Sequence, residues 1–124
     1  MGMKLPPAVE RQVLHLAGEN PARGRADSED GFDAQVEQLA TLFGWATYHT
    51  RDSRGSEGGF PDRVFSRGRV LFVAELKVEP NKPEPAQLEW LDRFRAAGIP
   101  AYLWYPKDWD LIVEVLTNGC DRSM

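Results

Sequence analysis

A single α/β domain with a mixed sheet is the fold class this chain predicts, and three features predict it. Its apolar patterns run helix, strand, strand, strand, helix, strand, helix, with one further helix in front. A helical segment separates the third and fourth strands, so those two can lie parallel. The third strand, at 69–78, is apolar on both faces, which suits a central place in a sheet. A length of 124 residues argues for one domain, and 42% hydrophobic content with four Trp and six Phe supplies a core.

Residues 7–17 carry Val9, Val13, Leu14 and Leu16 and read as a leading helix stopped by Gly18. A polar linker, ENPARGR, follows at 19–25. The first core helix begins after Asp27 or Ser28, either of which can cap it. Its apolar positions Phe32, Val36, Leu39, Ala40 and Phe43 keep helical spacing, and Gly44 closes it. A strand is expected at 45–50, then a glycine-rich polar loop, RDSRGSEGG, at 51–59. Strands at 62–66 and 69–78 are joined by a tight turn at Arg67-Gly68. An amphipathic helix at 84–97 follows three prolines and ends at Gly98. A buried strand spans 99–105, and Asp108 is expected to cap a last helix through Leu116. The organisation is therefore a leading segment at 1–26, a domain at 27–117 and a frayed tail at 118–124.

Bulk properties exclude several classes. The longest apolar stretch, 70–76, contains a Glu and is too short to cross a bilayer. No signal-peptide pattern is seen, so the cytoplasm is the expected compartment and no membrane partner is expected. Cys120 is the only cysteine, so neither an intrachain disulfide nor a cysteine-rich zinc site can form. The net charge of −4 argues mildly against a DNA-coating protein. Yet five arginines (Arg51, Arg54, Arg63, Arg67, Arg69) gather between 51 and 69 against three acids. Arginines beside carboxylates around a cation would give such a balance.

Chemistry concentrates in the third strand. Glu75 and Lys77 stand two apart on one face near its end. Alone, they could be an ordinary salt bridge at a wet strand end. Asp62 starts the preceding strand, just after Gly58-Gly59-Phe60-Pro61, and in a hairpin that start lies beside the end of the next strand. With a turn at Arg67-Gly68, residue 62 falls opposite residue 73 or 74, within one or two residues of Glu75. Two converging carboxylates repel unless a cation neutralises them, and oxygen ligation suits Mg²⁺ or Mn²⁺. The Leu76 backbone carbonyl at the same strand end is a third candidate ligand. Lys77 can then hold the attacking water and offset developing charge. Gln87 opens the apolar face formed by Trp90, Leu91, Phe94 and Ala97. It either makes a helix-end hydrogen bond or faces the Asp62, Glu75 and Lys77 cluster.

GFPD, then AELK with Glu75 thirteen residues after Asp62, then the Gln of PEPAQLEWL, resembles the VRR-NUC domain of the PD-(D/E)xK nuclease superfamily. GWATYHTRDSRGSEGGFPD and the closing AGIPAYLWYPKDWDLIVEVL are similar to its compact phage and bacterial members. The likeness covers about 28–116. PD and ExK alone are weak motifs; their order, spacing and trailing Gln make the combination specific. The resemblance implies a restriction-endonuclease-like αβββαβ core and divalent-metal-dependent phosphodiester hydrolysis. It also implies that Asp62 and Glu75 are metal ligands, Lys77 the catalytic lysine and Gln87 a supporting residue. A further acid is implied on the first core helix, where Glu29 matches best and Glu37 competes.

His49, ahead of the loop, and Arg51, Ser53 and Arg54 within it are candidate substrate contacts, Arg54 as a phosphate clamp. Trp90, Trp104, Tyr105 and Trp109 could stack bases but are better explained as core. The expected function is DNA cleavage selective for a flap, branch or junction and not for base sequence. A non-catalytic nucleic-acid-binding module and a nuclease subunit of a larger assembly are the rival readings. Paired cuts on a junction predict a homodimer, with Trp104, Tyr105, Trp109, Leu111 and Ile112, or the leading helix, as its surface.

Overall fold

A computed structural model describes residues 28–50 and 58–119. The expected leading helix, Arg51, Ser53, Arg54 and Cys120 lie outside the described residues. In chain order the elements are α1 (Glu29–Leu42), β1 (Ala46–His49), β2 (Arg63–Arg67), β3 (Val70–Leu76), α2 (Pro85–Ala96), β4 (Ala101–Trp104) and α3 (Trp109–Asn118). The four strands lie in sequence order, antiparallel from β1 to β3 and parallel between β3 and β4. The α2 crossover permits that parallel pair, as its position between the strands required.

Period-two alternation sorts the strand residues onto two faces. On one, Phe65, Phe72, Ala74, Leu76, Tyr102 and Trp104 pack with α1 and α3, which contribute Phe32, Val36, Leu39, Trp109 and Ile112. Phe72 stacks on Phe65 at 4.6 Å and meets Trp45 edge-on at 5.0 Å. The other face is thinner. Val73, Leu91 and Ala101 are buried there, with Val64, Phe94 and Leu103 packed against them.

Local chemistry sets the ends. Ser28 Oγ accepts from the Gly31 N–H at 3.0 Å and so caps α1. Gly44, with φ of 87°, ends it. Arg67 lies over the Trp45 ring at 4.4 Å and donates to the carbonyls of Phe43, Leu116 and Thr117. One arginine thus satisfies orphan carbonyls at two helix ends.

Several expectations need correction. The hairpin turn is Gly68-Arg69, not Arg67-Gly68, because Arg67 pairs with Val70. Gly68 takes φ of 61°, the left-handed position a two-residue turn needs. The Asp108 side chain does not cap α3; it turns back to accept from the Tyr105 N–H at 2.9 Å, across a short 3₁₀ turn at Pro106–Asp108. Residues at 117 and 118 are helical. Ala97 is exposed, and Trp90 and Phe94 are half-buried, so Leu91 alone of the apolar residues named for that face is fully enclosed. Trp104, Trp109 and Ile112 are buried within the subunit, which removes most of the surplus apolar surface expected near the C-terminus. Leu111 remains 48% exposed.

Candidate active site

The corrected turn sharpens the site. Arg63 pairs with Ala74, so Asp62 continues the register to stand opposite Glu75. Asp62 Oδ2 accepts the Leu76 N–H at 2.9 Å, which fixes the carboxylate across the strand end. Thr50 ties the entry to β2 from the other side. Its N–H donates to the Asp62 carbonyl at 2.8 Å, and its hydroxyl donates to the Pro61 carbonyl at 2.7 Å.

Glu75 is 1% exposed. Its Oε2 accepts from Gln87 Nε2 at 2.7 Å and lies 3.6 Å from Lys77 Nζ. Its Oε1 is buried with no hydrogen-bond partner. A buried carboxylate oxygen without a donor is costly, and burial followed by repulsion from Asp62 pushes the Glu75 carboxyl up to about 8. Lys77 and the nearby Asp62 amide oppose that rise only in part. Asp62 is raised as well, chiefly by burial.

Gln87 does both things left open for it. It sits at the third position of α2, where its Oε1 accepts the Glu84 N–H at 2.7 Å while its Nε2 reaches Glu75. The helix start is seated by the GGFPD loop. A Cβ on Gly59, which has φ of 87°, would lie 2.7 Å from the Ala86 backbone. Phe60 meets the Trp90 and Phe94 rings at 5.1 and 5.7 Å. The glycines before the PD motif therefore set where Gln87 stands relative to Glu75.

On α1, Glu29 rather than Glu37 reaches this cluster. Its charge raises both Asp62 and Glu75, while its Oε2 accepts from Asn81 Nδ2 at 3.2 Å. Tyr105 holds Asn81 in turn, donating its hydroxyl to the Asn81 carbonyl at 2.9 Å. Among the described residues, no three His, Cys, Asp or Glu side chains gather closely enough to hold an ion by themselves. Glu29 therefore stands at the rim, outside the group that Asp62 and Glu75 form.

Glu37 belongs to a second charged cluster on the α1 face. Arg63, 2% exposed, donates Nε and Nη2 to the two Asp33 oxygens at 2.7 Å each and Nη1 to Thr47 Oγ1 at 3.1 Å. Glu37 lies 3.4 Å from Arg63, and His49 Nδ1 lies 3.8 Å from Asp33. Sequence reasoning missed Asp33, Asn81 and Thr47. It counted Arg63 and Arg67 with the basic loop, but both act as internal ties. The signal for Arg63 was present, since it shares the inward phase of its strand with Phe65.

No family model matches the chain, and no curated protein matches it. A solved structure described as a "VRR_NUC domain" superposes with a TM-score of 0.60 at 26% identity, over 69% of this chain and 94% of that one. The shared mixed sheet with flanking helices is compatible with a restriction-endonuclease-like core. The chain therefore has the fold of a VRR-NUC domain, a placement consistent with the PD-(D/E)xK superfamily, and carries GFPD, AELK and the helical Gln on it.

Proposed function

We propose that this chain is a divalent-metal-dependent nuclease that hydrolyses DNA phosphodiester bonds and selects DNA by shape. The observation that carries this reading is the state of Glu75. It is buried, pinned through one oxygen by Gln87 and Lys77, and left with the other oxygen unpartnered beside a second carboxylate. A structural carboxylate would have both oxygens satisfied.

Hard oxygen donors fit Mg²⁺ or Mn²⁺, which often take one or two carboxylates and fill the remaining positions with water and phosphate. Asp62, Glu75 and the Leu76 carbonyl would hold the ion, with Glu29 acting from the rim. When bound, the ion supplies charge neutralisation and Lewis-acid polarisation of the scissile phosphate. Gln87 keeps Glu75 Oε2 occupied and so leaves Oε1 for that ion. The Leu76 N–H does the same for Asp62 through Oδ2. Lys77 Nζ orients the attacking water and donates to a phosphate oxygen as negative charge develops. Arg51, Ser53 and Arg54 would grip the backbone beside the PD motif, and His49 would stand near them. Cytoplasmic action and a homodimer complete the reading. The dimer rests on the need for paired cuts, since the apolar residues proposed for its surface are mostly used inside the subunit.

Cleavage of single-stranded, duplex, flap and four-way DNA with Mg²⁺ or Mn²⁺ tests it. Metal-dependent cuts concentrated at branches are the expected result. DNA binding without cleavage at any metal concentration would leave a non-catalytic module, and cleavage only with added partner proteins a subunit of an assembly. Among the described residues, no helix is long and apolar enough to cross a membrane.

A further inference from the structure

Among the described residues, the cations sort into engaged and free. Arg63 and Lys107 pair with carboxylates, Arg67 and Arg95 donate to backbone carbonyls, Arg93 lies over the Trp90 ring, and Lys77 shares its charge with Glu75. Lys82 and Arg69 are exposed and make no such contact with a described residue. They stand at opposite ends of the sheet. Arg69 lies in the β2–β3 turn, about 17 Å along the hairpin from the Asp62–Glu75 pair at about 3.3 Å per residue. Lys82 lies in the loop between β3 and α2, with Lys77 before it and Gln87 after it.

Asn81 fixes that loop on three sides. Its N–H donates to the Val78 carbonyl at 3.0 Å, its side chain donates to Glu29 at 3.2 Å, and its carbonyl accepts the Tyr105 hydroxyl at 2.9 Å. Lys107 holds Glu79 at 3.0 Å, and the Glu84 N–H is taken by Gln87. Pro80, Pro83 and Pro85 remove further backbone freedom. The Lys82 backbone therefore has a set place next to Glu29, at the rim of the carboxylate cluster. A lysine that only solvates a surface needs no such fixing, since ordering a loop costs conformational entropy.

Charge gives that place a use. When ionised, Asp62, Glu75 and Glu29 outnumber Lys77 at this strand end. A divalent ion brings these four side chains only to neutrality, so the phosphates on either side of a cut need a cation of their own. We infer that Lys82 grips a DNA phosphate next to the one being cut. Arg51 and Arg54 follow β1 in the chain, whereas the Lys82 loop is tied to Tyr105, just after β4. The inference rests on the nuclease reading and deepens it by adding a backbone contact on the β4 flank of the cluster.

The test is the salt dependence of DNA affinity, read by fluorescence anisotropy without divalent metal on a duplex with a single-stranded flap. At about 0.1 M salt, Lys82→Ala weakens binding about fivefold and lowers the slope of log affinity against log salt by about 0.9, the contribution of one phosphate contact. Lys82→Arg keeps the charge and stays within about twofold of the unmodified chain. Arg69→Ala removes the same charge from the far end of the sheet and leaves both readings where they are. A slope unchanged by Lys82→Ala, one lowered as much by Arg69→Ala, or a Lys82→Arg chain that binds as weakly as Lys82→Ala overturns the inference while the nuclease reading stands. Failure of the unmodified chain to bind the DNA overturns both.

Discussion

Asp62 and Arg63 are neighbours in sequence, yet their side chains enter two opposite kinds of buried charge cluster. On the α1 face, Arg63 closes a bidentate pair with Asp33 and adds Thr47 and Glu37, so its donors are met at 2.7 to 3.4 Å. On the α2 face, Glu75 and Asp62 confront each other, Lys77 stands at 3.6 Å, and one Glu75 oxygen has no partner. The closed cluster ties helix to sheet. The open one keeps an unmet carboxyl oxygen beside a second carboxyl group, which is useful only if something else arrives to meet it. Buried charge marks function where it is unsatisfied and architecture where it is satisfied.

The largest separation of the two clusters should appear in cleavage. Lys77→Ala is expected to cut the rate by about a hundred- to a thousandfold, as removal of one charge-stabilising donor does. DNA affinity should stay within about threefold, because one lysine adds little to an interface that meets many phosphates. Single-turnover cleavage with parallel anisotropy checks both.

Stability should separate them in the other direction. Arg63→Ala leaves Asp33 buried without its partner and should destabilise by about 3–5 kcal/mol in urea unfolding. Asp33→Ala should cost a similar amount, and the double variant less than the sum. Without metal, Glu75→Gln removes a buried repulsion and is expected to raise the midpoint of thermal unfolding at pH 8.

The same contrast has a pH signature. The Glu75 carboxyl titrates near 8 in the folded chain against an ordinary value of 4.5. The native state then keeps a proton that the unfolded state has released. Metal-free stability should therefore fall as pH rises from about 4.5 to about 8, and most of that slope should vanish in Glu75→Gln. A pH series of unfolding midpoints for the two proteins reads it directly.

The smallest effect concerns the seat of the open cluster. Gly59→Ala places a Cβ against the Ala86 backbone at a positive φ and should cost on the order of 2 kcal/mol. Because Ala86 adjoins Gln87, cleavage should fall more than DNA affinity does.

The sequence disclosed the elements and the open cluster well. Apolar periodicity located α1 and α2, and the two-sided apolar run located β3 as an interior strand. Asp62, Glu75, Lys77 and Gln87 could be brought together because hairpin register and helix order are local consequences of chain pattern. The turn was displaced by one residue, since Arg67-Gly68 and Gly68-Arg69 both contain the glycine and only Arg67's pairing with Val70 distinguishes them. The closed cluster was only half legible: Arg63 shares the inward phase of Phe65, but its partner Asp33, thirty residues away, resembles surface charge in its own helix. Apolar surplus near the C-terminus misled for a related reason: composition counts Trp104, Trp109 and Ile112 but does not show that β4 and α3 turn them inward.

Calorimetric titration of Mn²⁺ into the metal-free chain tests the open cluster most directly. One ion should bind per chain, and Asp62→Asn or Glu75→Gln should weaken it by at least about a hundredfold, since even outer-shell changes cost about 10–100-fold. Mn²⁺ affinity that is unchanged by Asp62→Asn and Glu75→Gln would contradict the account.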